Sequence, residues 1–285
     1  MKIIFYDVEH GSCCHIITPN NKHILVDIGS KANNSISYYI KNKYFRYYDD
    51  VIGNYTIDAL IITHPHEDHI FDLPNLKSIL PPIVINRPKG AFDITPQINT
   101  QKHIDIANTA NEMNKNYNVP VNPDESPFNP NVNGGVDIKI ISPNNKWTNK
   151  QDLNTFSSII IVKAFGYKFV LTGDNPAYIL QKMLDSNFEN IKEQIINADV
   201  LLAPHHGRTG EYCEDFFNLV NPKLTVVSDK SIGYGTQYET AQLYKGRGAK
   251  VNGLTRYVLT TRNDKTIEFD LSENGVNIVT GQEEY

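Results

Sequence analysis

Short β-branched runs recur along the chain: KIIFY from Lys2, HIIT from His15, HILVDIG from His23, ALIITH from Ala59, IVIN from Ile83, VDIKIIS from Val136, SSIIIVKAF from Ser157, YKFVLTGD from Tyr167, DVLLAPHH from Asp199, LTVVSD from Leu224, YVLTT from Tyr257 and TIEFDL from Thr266. Most are four to eight residues long and end on Gly, Asn, Asp or Pro, the pattern of strands in a mixed, well-covered sheet. Between them the period changes. Ile36, Tyr39, Ile40, Tyr44 and Tyr47 share a helical face after the cap candidate Ser35, and Ile179, Leu180, Met183 and Leu184 share another after Asn175 and Pro176. Strands, helices and strands again predict sheets covered by helices, an α/β or α+β layered fold.

The stretch from Asn116 to Gly135, rich in Pro and Asn, reads as a surface insertion with a position to cover a site. There is no internal repeat, and 285 residues are expected to form one domain, 1–285. A net charge of −5 excludes a surface that is basic all over, so any polyanion contact must be local. No segment has the length and apolarity of a membrane span, and MKIIFY is too short for a signal-peptide core. Cys13, Cys14 and Cys213 make no disulfide framework, which points to the cytoplasm. The adjacent Cys13 and Cys14 should face opposite sides of a strand and serve packing, despite the neighbouring His15.

The chemistry concentrates in HPHEDH, His64 to His69, directly after an apolar strand run. A turn at a strand end can aim His64, His66, Asp68 and His69 at one point, and imidazole with carboxylate is the donor mixture preferred by zinc and other borderline divalent metals. Glu67 reads as solvated, and His103 as a surface residue of a helical segment. Two further strand runs end in suitable donors: VLTGD in Asp174, and VLLAPHHG in His205 and His206.

On these residues the chain resembles the metallo-β-lactamase superfamily, and the order DVEHGSC, HILVDIG, HPHEDH, NTFSSIIIV, FVLTGD, LLAPHHG is similar to the hydrolase domain fused to the bacterial competence DNA-uptake channel (ComEC-type). The resemblance implies an αββα sandwich, two mixed β-sheets covered by helices. It also implies two divalent ions, zinc with manganese as the alternative: His64 and His66 on one, Asp68 and His69 on the other, Asp174 shared, and a histidine of the later pair completing one of them. His206 is the expected ligand of its pair; His205 would face substrate and protonate the leaving group. Asp68 and His205 are the catalytic candidates. Asp27 would orient a ligand imidazole, or else cap a strand-end turn. Asn154 and Ser157 match the ComEC-type pattern in a place where many superfamily members carry a further histidine, so the first ion would keep an open position, as a catalytic site needs.

Two departures bear on substrate. The opening usually reads Asp-Val-Gly-Gln-Gly-Asp, here Asp7-Val8-Glu9-His10-Gly11-Ser12, and Arg208 follows HHG where relatives commonly have Ser. Arg208 and Lys230 are candidate phosphate contacts.

Two ions close together acidify a shared water, hold a bridging hydroxide and neutralise charge on the reacting ester. No nucleophile elbow, phosphate-cradling glycine loop or dinucleotide fingerprint competes with that chemistry. The expected function is a phosphodiesterase or DNA nuclease. Hydrolysis of a small ester, lactone, thioester or lactam is the alternative, and a non-enzymatic binding module is the third. The C-terminal Lys245, Arg247, Lys250, Arg256 and Arg262 amid Tyr244 and Tyr257 suggest either a DNA-tracking groove or an amphipathic strand pair with a solvated face.

Overall fold

The computed structural model describes residues 1–45, 55–88, 90–96, 98–230 and 236–282. The first sheet is built from β1 (Lys2–Phe5), β2 (Cys14–Ile17), β3 (His23–Val26), β4 (Ile57–Ile61) and β5 (Pro82–Asn86). The second is built from β6 (Asp137–Ile141), β7 (Ile159–Ala164), β8 (Tyr167–Leu171), β9 (Val200–Leu202) and β10 (Leu224–Val227). A small hairpin, β11 (Ala249–Val251) and β12 (Leu254–Arg256), follows; β13 (Val258–Thr260) returns to the second sheet, and β14 (Thr266–Ser272) and β15 (Gly275–Gln282) to the first. The strand orders are β15-β14-β1-β2-β3-β4-β5 and β13-β10-β9-β8-β7-β6. Each of the twelve sequence runs contains a strand; β11, β12 and β15 are additional.

The helices are α1 (Ile36–Tyr44), α2 (Glu67–Ile70), α3 (Leu73–Ile79), α4 (Gln101–Asn116), α5 (Ala177–Asp185), α6 (Ile191–Ile195), α7 (Glu214–Val220), α8 (Thr236–Leu243) and α9 (Thr261–Asp264). Alternation along the strands sorts their side chains into layers. Ile3, Phe5, Ile24 and Val26 pack against Val162, Phe169, Leu171 and Val226 between the sheets. Ile4, Tyr6 and Leu25 face outward onto α1, α3 and α4, through Ile36, Ile40, Leu76, Ile106 and Ala110. Ile161, Val170 and Leu201 do the same under α5, α6 and α7, through Leu180, Met183, Ile195 and Phe216. This is the expected αββα arrangement: both sheets are covered on both faces, which is why their central strands are apolar throughout rather than alternating. Cys14 lies in the inner layer and Cys13 in the outer one, as packing residues on opposite faces.

Ser35 caps α1, its hydroxyl accepting from Tyr38 N, as the pattern predicts; Tyr47 lies outside the described residues. At α5 the expected cap is displaced by one residue. Pro176 occupies that position, while the Asn175 amide turns inward to donate to the carbonyls of Ser157 and Thr172. The segment after α4 does not cover the site. Phe128 packs against the inter-sheet core, Asn133 is fully buried, and the Asn20 amide donates to Val132 O, so the segment is tied to the β2–β3 turn instead. Among the described residues no helix is long and apolar enough to cross a membrane.

Candidate metal centre

The parallel pairs β3 with β4 and β8 with β9 and β10 place several strand C-termini at one end of the sandwich. Ligands of layered α/β folds bind at such ends, where the turns leave a crevice. Here the crevice has a volume of about 460 Å³ and is lined by His66, Asp68, Asn154, Asp174, His205, Arg208 and Lys230, with Val8, His10 and Phe71 among the residues opposite.

The HPHEDH turn is held from several sides. Asp27, at the end of β3, accepts from Thr63 N and Thr63 Oγ1 at 2.8 Å each, and its Oδ2 lies 2.7 Å from His69 Nδ1. These contacts brace the strand-end turn and set a carboxylate on the His69 nitrogen opposite the one that approaches Asp174. The Asp68 carbonyl fits between two glycines, since a Cβ at Gly11 or Gly29 would lie 2.3 or 2.4 Å from that oxygen. Glu67 is not solvated: it is buried and paired with the half-buried His103 of α4, which fastens α2 to that helix.

The donors then converge. Among the described residues, one ligand atom each of Asp68, His69, Asp174 and His206 all lie within 4.8 Å of one another. His206 Nε2 is 3.1 Å from Asp68 Oδ2 and 3.5 Å from Asp174 Oδ2, and its Nδ1 donates to Ser228 O at 2.8 Å. His64 Nε2 lies 3.9 Å from the same Asp174 oxygen and 3.0 Å from His66 Nδ1. Ser157 Oγ accepts from Asp174 N, and Asn154 contributes a buried Oδ1 that has no hydrogen-bond partner.

Alternation along a strand does not describe His205 and His206. Both, with Gly207, adopt left-handed backbone angles (φ 47°, 54° and 72°), so the chain turns instead of extending. Both rings consequently approach Asp174 Oδ2, from positions 6.1 Å apart by centroid, His205 Nε2 at 3.7 Å. The pair still divides: His206 joins the quartet, whereas His205 lines the crevice with its Nδ1 3.8 Å from Glu211.

Burial opposes every charge here, and the balance of neighbours decides each case. His69 is pushed well above its ordinary pKa because Asp174, Asp27 and Asp68 outweigh its burial; His206 rises to about 10 for the same reason, through Asp174 and Asp68. Asp174 and Asp68 lie well below the carboxylate range, as their burial is overcome by His69 and His206. His64, buried and beside His69, is driven well below 6.5, and burial lowers His205 to about 4. Without an ion, protons on His69 and His206 balance the two carboxylates, and a divalent ion would take the place of those protons. His69 Nε2 is buried without a hydrogen-bond partner although Asp174 Oδ1 is 3.2 Å away, and imidazole nitrogens and carboxylate oxygens with open lone pairs are the donors a divalent metal takes. The residues present therefore fit a metal.

The basic C-terminal tract stands apart from this crevice. Tyr244 is fully buried and offers no stacking surface; Arg256 pairs with Asp264 at 3.0 Å, Arg262 with Asp229 at 3.0 Å, Arg247 Nε donates to Asn221 O, and Lys245 sits over the Tyr257 ring. Its β11–β12 portion is a strand pair rather than a groove beside the donors. Two other residues gained importance that the motif did not give them: Glu211, which also accepts from Ala177 N at the start of α5, and His10. Glu211 lies five residues after His206 in no recognisable motif.

Among curated proteins none matches the sequence. Solved structures of similar fold include the metallo-beta-lactamase fold protein YhfI from Bacillus subtilis, 14% identical over 94% of this chain and 99% of that one with a TM-score of 0.48. Another is zinc-bound PqqB from Methylobacterium extorquens, at 10% over 95% and 100% with a TM-score of 0.49. A diphosphatase of the PhnP family is similar at 10% over 92% and 85%, with a TM-score of 0.43. The sequence profile of the metallo-beta-lactamase superfamily matches residues 9–228. That span carries His64, His66, Asp68, His69, Asp174, His205 and His206, and the chain belongs to the metallo-beta-lactamase superfamily of metal-dependent hydrolases.

Proposed function

We propose that the chain, as one domain over residues 1–285, is a cytoplasmic phosphodiesterase acting on DNA, with two divalent ions, zinc or manganese. His64 and His66 hold one ion, Asp68, His69 and His206 the other, and Asp174 is shared. Bound ions supply Lewis acidity and an acidified water as nucleophile. The chain's own groups set the geometry: Asp27 orients His69, Ser157 supports the Asp174 backbone, and Asn154 presents its amide to the crevice beside Asp174. Asp68 would serve as a carboxylate ligand at the reacting centre, and His205, backed by Glu211, is placed to pass a proton to the leaving oxygen. The order of motifs resembling the ComEC-type hydrolases supports DNA as the substrate.

The observation that carries this proposal is the pair Arg208 and Lys230, which leave two different turns, after β9 and β10, and both line the crevice with Asp174 and His205. Two cations beside a metal centre suit a phosphate backbone. The test is a substrate panel of DNA, RNA, bis-p-nitrophenyl phosphate and a cephalosporin. Phosphodiester cleavage should vanish with chelator, return with zinc or manganese, and fall with added salt. Arg208→Ala should keep its metals and bind DNA roughly tenfold more weakly, by about 1–2 kcal/mol. Hydrolysis of the cephalosporin or of a thioester with DNA left intact would promote a second reading, a small-molecule esterase, lactonase or lactamase. The modest crevice with Val8, Ala32 and Phe71 in its wall is the feature that favours it.

A further inference from the structure

His10 lies in the loop between β1 and β2, a loop fastened to the same elements that carry Asp68 and His206. Ser12 N donates to Asp68 O at 3.3 Å, and Gly11, at φ +130°, sits where a side chain would collide with that carbonyl. On the other side Ser228 Oγ donates to Gly11 O at 2.7 Å, while the Ser228 carbonyl accepts from His206 Nδ1. Motif turn, β1–β2 loop and β10 turn therefore hold one another, and the imidazole of His10 is delivered beside Asp68 and His206.

Toward Asp68 its position has the dimensions of a ligand, although its nitrogen is not among the four donor atoms that lie within 4.8 Å of one another. His10 Nε2 is 3.4 Å from Asp68 Oδ2, the oxygen that lies 3.1 Å from His206 Nε2. Two donors bound to one ion at about 2.1 Å stand roughly 3–3.5 Å apart when their angle is between 90° and tetrahedral. The rings of His10 and His206 are 4.6 Å apart by centroid, against 4.8 Å for His64 with His66 and 5.5 Å for His69 with His206. His10 and Asp68 thus stand at ion-pair distance, with a second imidazole, His206, on the same carboxylate oxygen.

We propose that His10 is a further ligand of the ion held by Asp68, His69, Asp174 and His206. The proposal rests on the two-ion reading above. With His10 added, that ion has five protein donors, three imidazoles and two carboxylates, and its coordination sphere is closed to substrate. The open positions then belong to the other ion, at His64 and His66, where the crevice reaches His66 and Asp174. Substrate exchanges on one ion while the other is retained.

The experiment compares wild type with His10→Ala and His10→Phe by zinc titration and mass spectrometry, and after cobalt substitution by visible absorption. Phe keeps a ring against His206 but offers no donor, so it separates ligation from packing. The expected result is two ions per wild-type chain, one of them bound at least about tenfold more weakly in both variants, and a more intense cobalt spectrum as five-coordination falls to four. Two ions in all three proteins with unchanged affinities and spectra would overturn the His10 assignment alone, as would a defect in His10→Ala that His10→Phe repairs. A wild type that holds fewer than two ions overturns the two-ion reading before the variants are compared.

Discussion

The chain has two histidine clusters that differ in one respect. In the first sheet, His15 and His23 are buried side by side: Tyr6 Oη is 3.1 Å from His15 Nδ1, His15 Nε2 is 3.0 Å from His23 Nδ1, and the rings of Tyr44 and Phe45 pack against them. At the crevice, His64, His69 and His206 point their nitrogens at Asp68 and Asp174. The first group satisfies itself within the protein and stays neutral, since burial drives both His15 and His23 below the ordinary imidazole range. The second leaves a buried nitrogen without a partner around two carboxylates. Histidine density is therefore no guide to metal binding; what the nitrogens converge on decides it.

The sharpest way to break this contrast is to remove the carboxylate on which both sides of the centre converge. Asp174→Ala should strip both ions and lower hydrolysis by about 10³-fold or more, since the metals carry several kcal/mol of transition-state stabilisation. His15→Phe, in the other cluster, should leave metal content unchanged in the same mass-spectrometric assay. Retention of two ions by Asp174→Ala would show that the carboxylate is not the distinguishing element.

How far the sequence disclosed each cluster follows from chain distance. HPHEDH is local, so six residues display most of a centre, and Asp174 and His206 are visible because strand runs end beside them. Strands and their helical cover follow from periodicity, whereas the two-sheet sandwich comes from the resemblance alone, because strands covered on both faces are apolar throughout and do not show which face lies between the sheets. His10 was not recognisable, because only Gly11 against Asp68 and Ser228 against Gly11, contacts across 57 and 217 residues, bring it to the centre. Glu67 was misread for a related reason: its partner His103 arrives on α4, 36 residues later. The basic tail stays ambiguous in sequence, groove or solvated strand pair, because its carboxylate partners, Asp229 and Asp264, are assigned by folding and not by spacing.

The self-satisfied cluster makes a prediction of its own, read in the unfolding free energy of the metal-free protein against pH. The pKa of His23 falls from 6.5 to about 4 in the folded state, chiefly by burial. A folded state that resists the proton is favoured above the unfolded value, and its advantage is lost as the unfolded chain protonates: stability should fall between pH 6.5 and about 4, by about 3 kcal/mol from this group. His15, displaced in the same direction, adds to the slope. His23→Phe removes the His23 part, and subtracting its curve from that of wild type cancels the carboxylates common to both. Coincident slopes would mean that the pair accepts protons when folded and is not the neutral counterpart described above.

The smallest effect tests whether the difference between the clusters depends on orientation as well as on charge. Asp27 Oδ2 receives His69 Nδ1–H at 2.7 Å, which leaves Nε2 bare toward Asp174. An asparagine has the same shape and keeps the bonds from Thr63 if its carbonyl takes them, but it removes the charge that makes His69 a stronger donor, and its amide can face the imidazole with a proton of its own. The ring would then turn its protonated nitrogen inward in part of the population, and the centre would acquire the self-satisfied character of the His15–His23 pair. Asp27→Asn should therefore weaken binding of the ion at Asp68 and His69 by about 10–100-fold, roughly 1.4–2.7 kcal/mol, without loss of fold. A competition titration against a chelator of known affinity measures it. Burial raises the pKa of Asp27 itself, so its own charge is held in place by the His69 and Thr63 contacts and is sensitive to their loss. An unchanged affinity in the variant would show that convergence on Asp68 and Asp174 alone separates the two clusters, and that the orientation of His69 is fixed by packing rather than by Asp27.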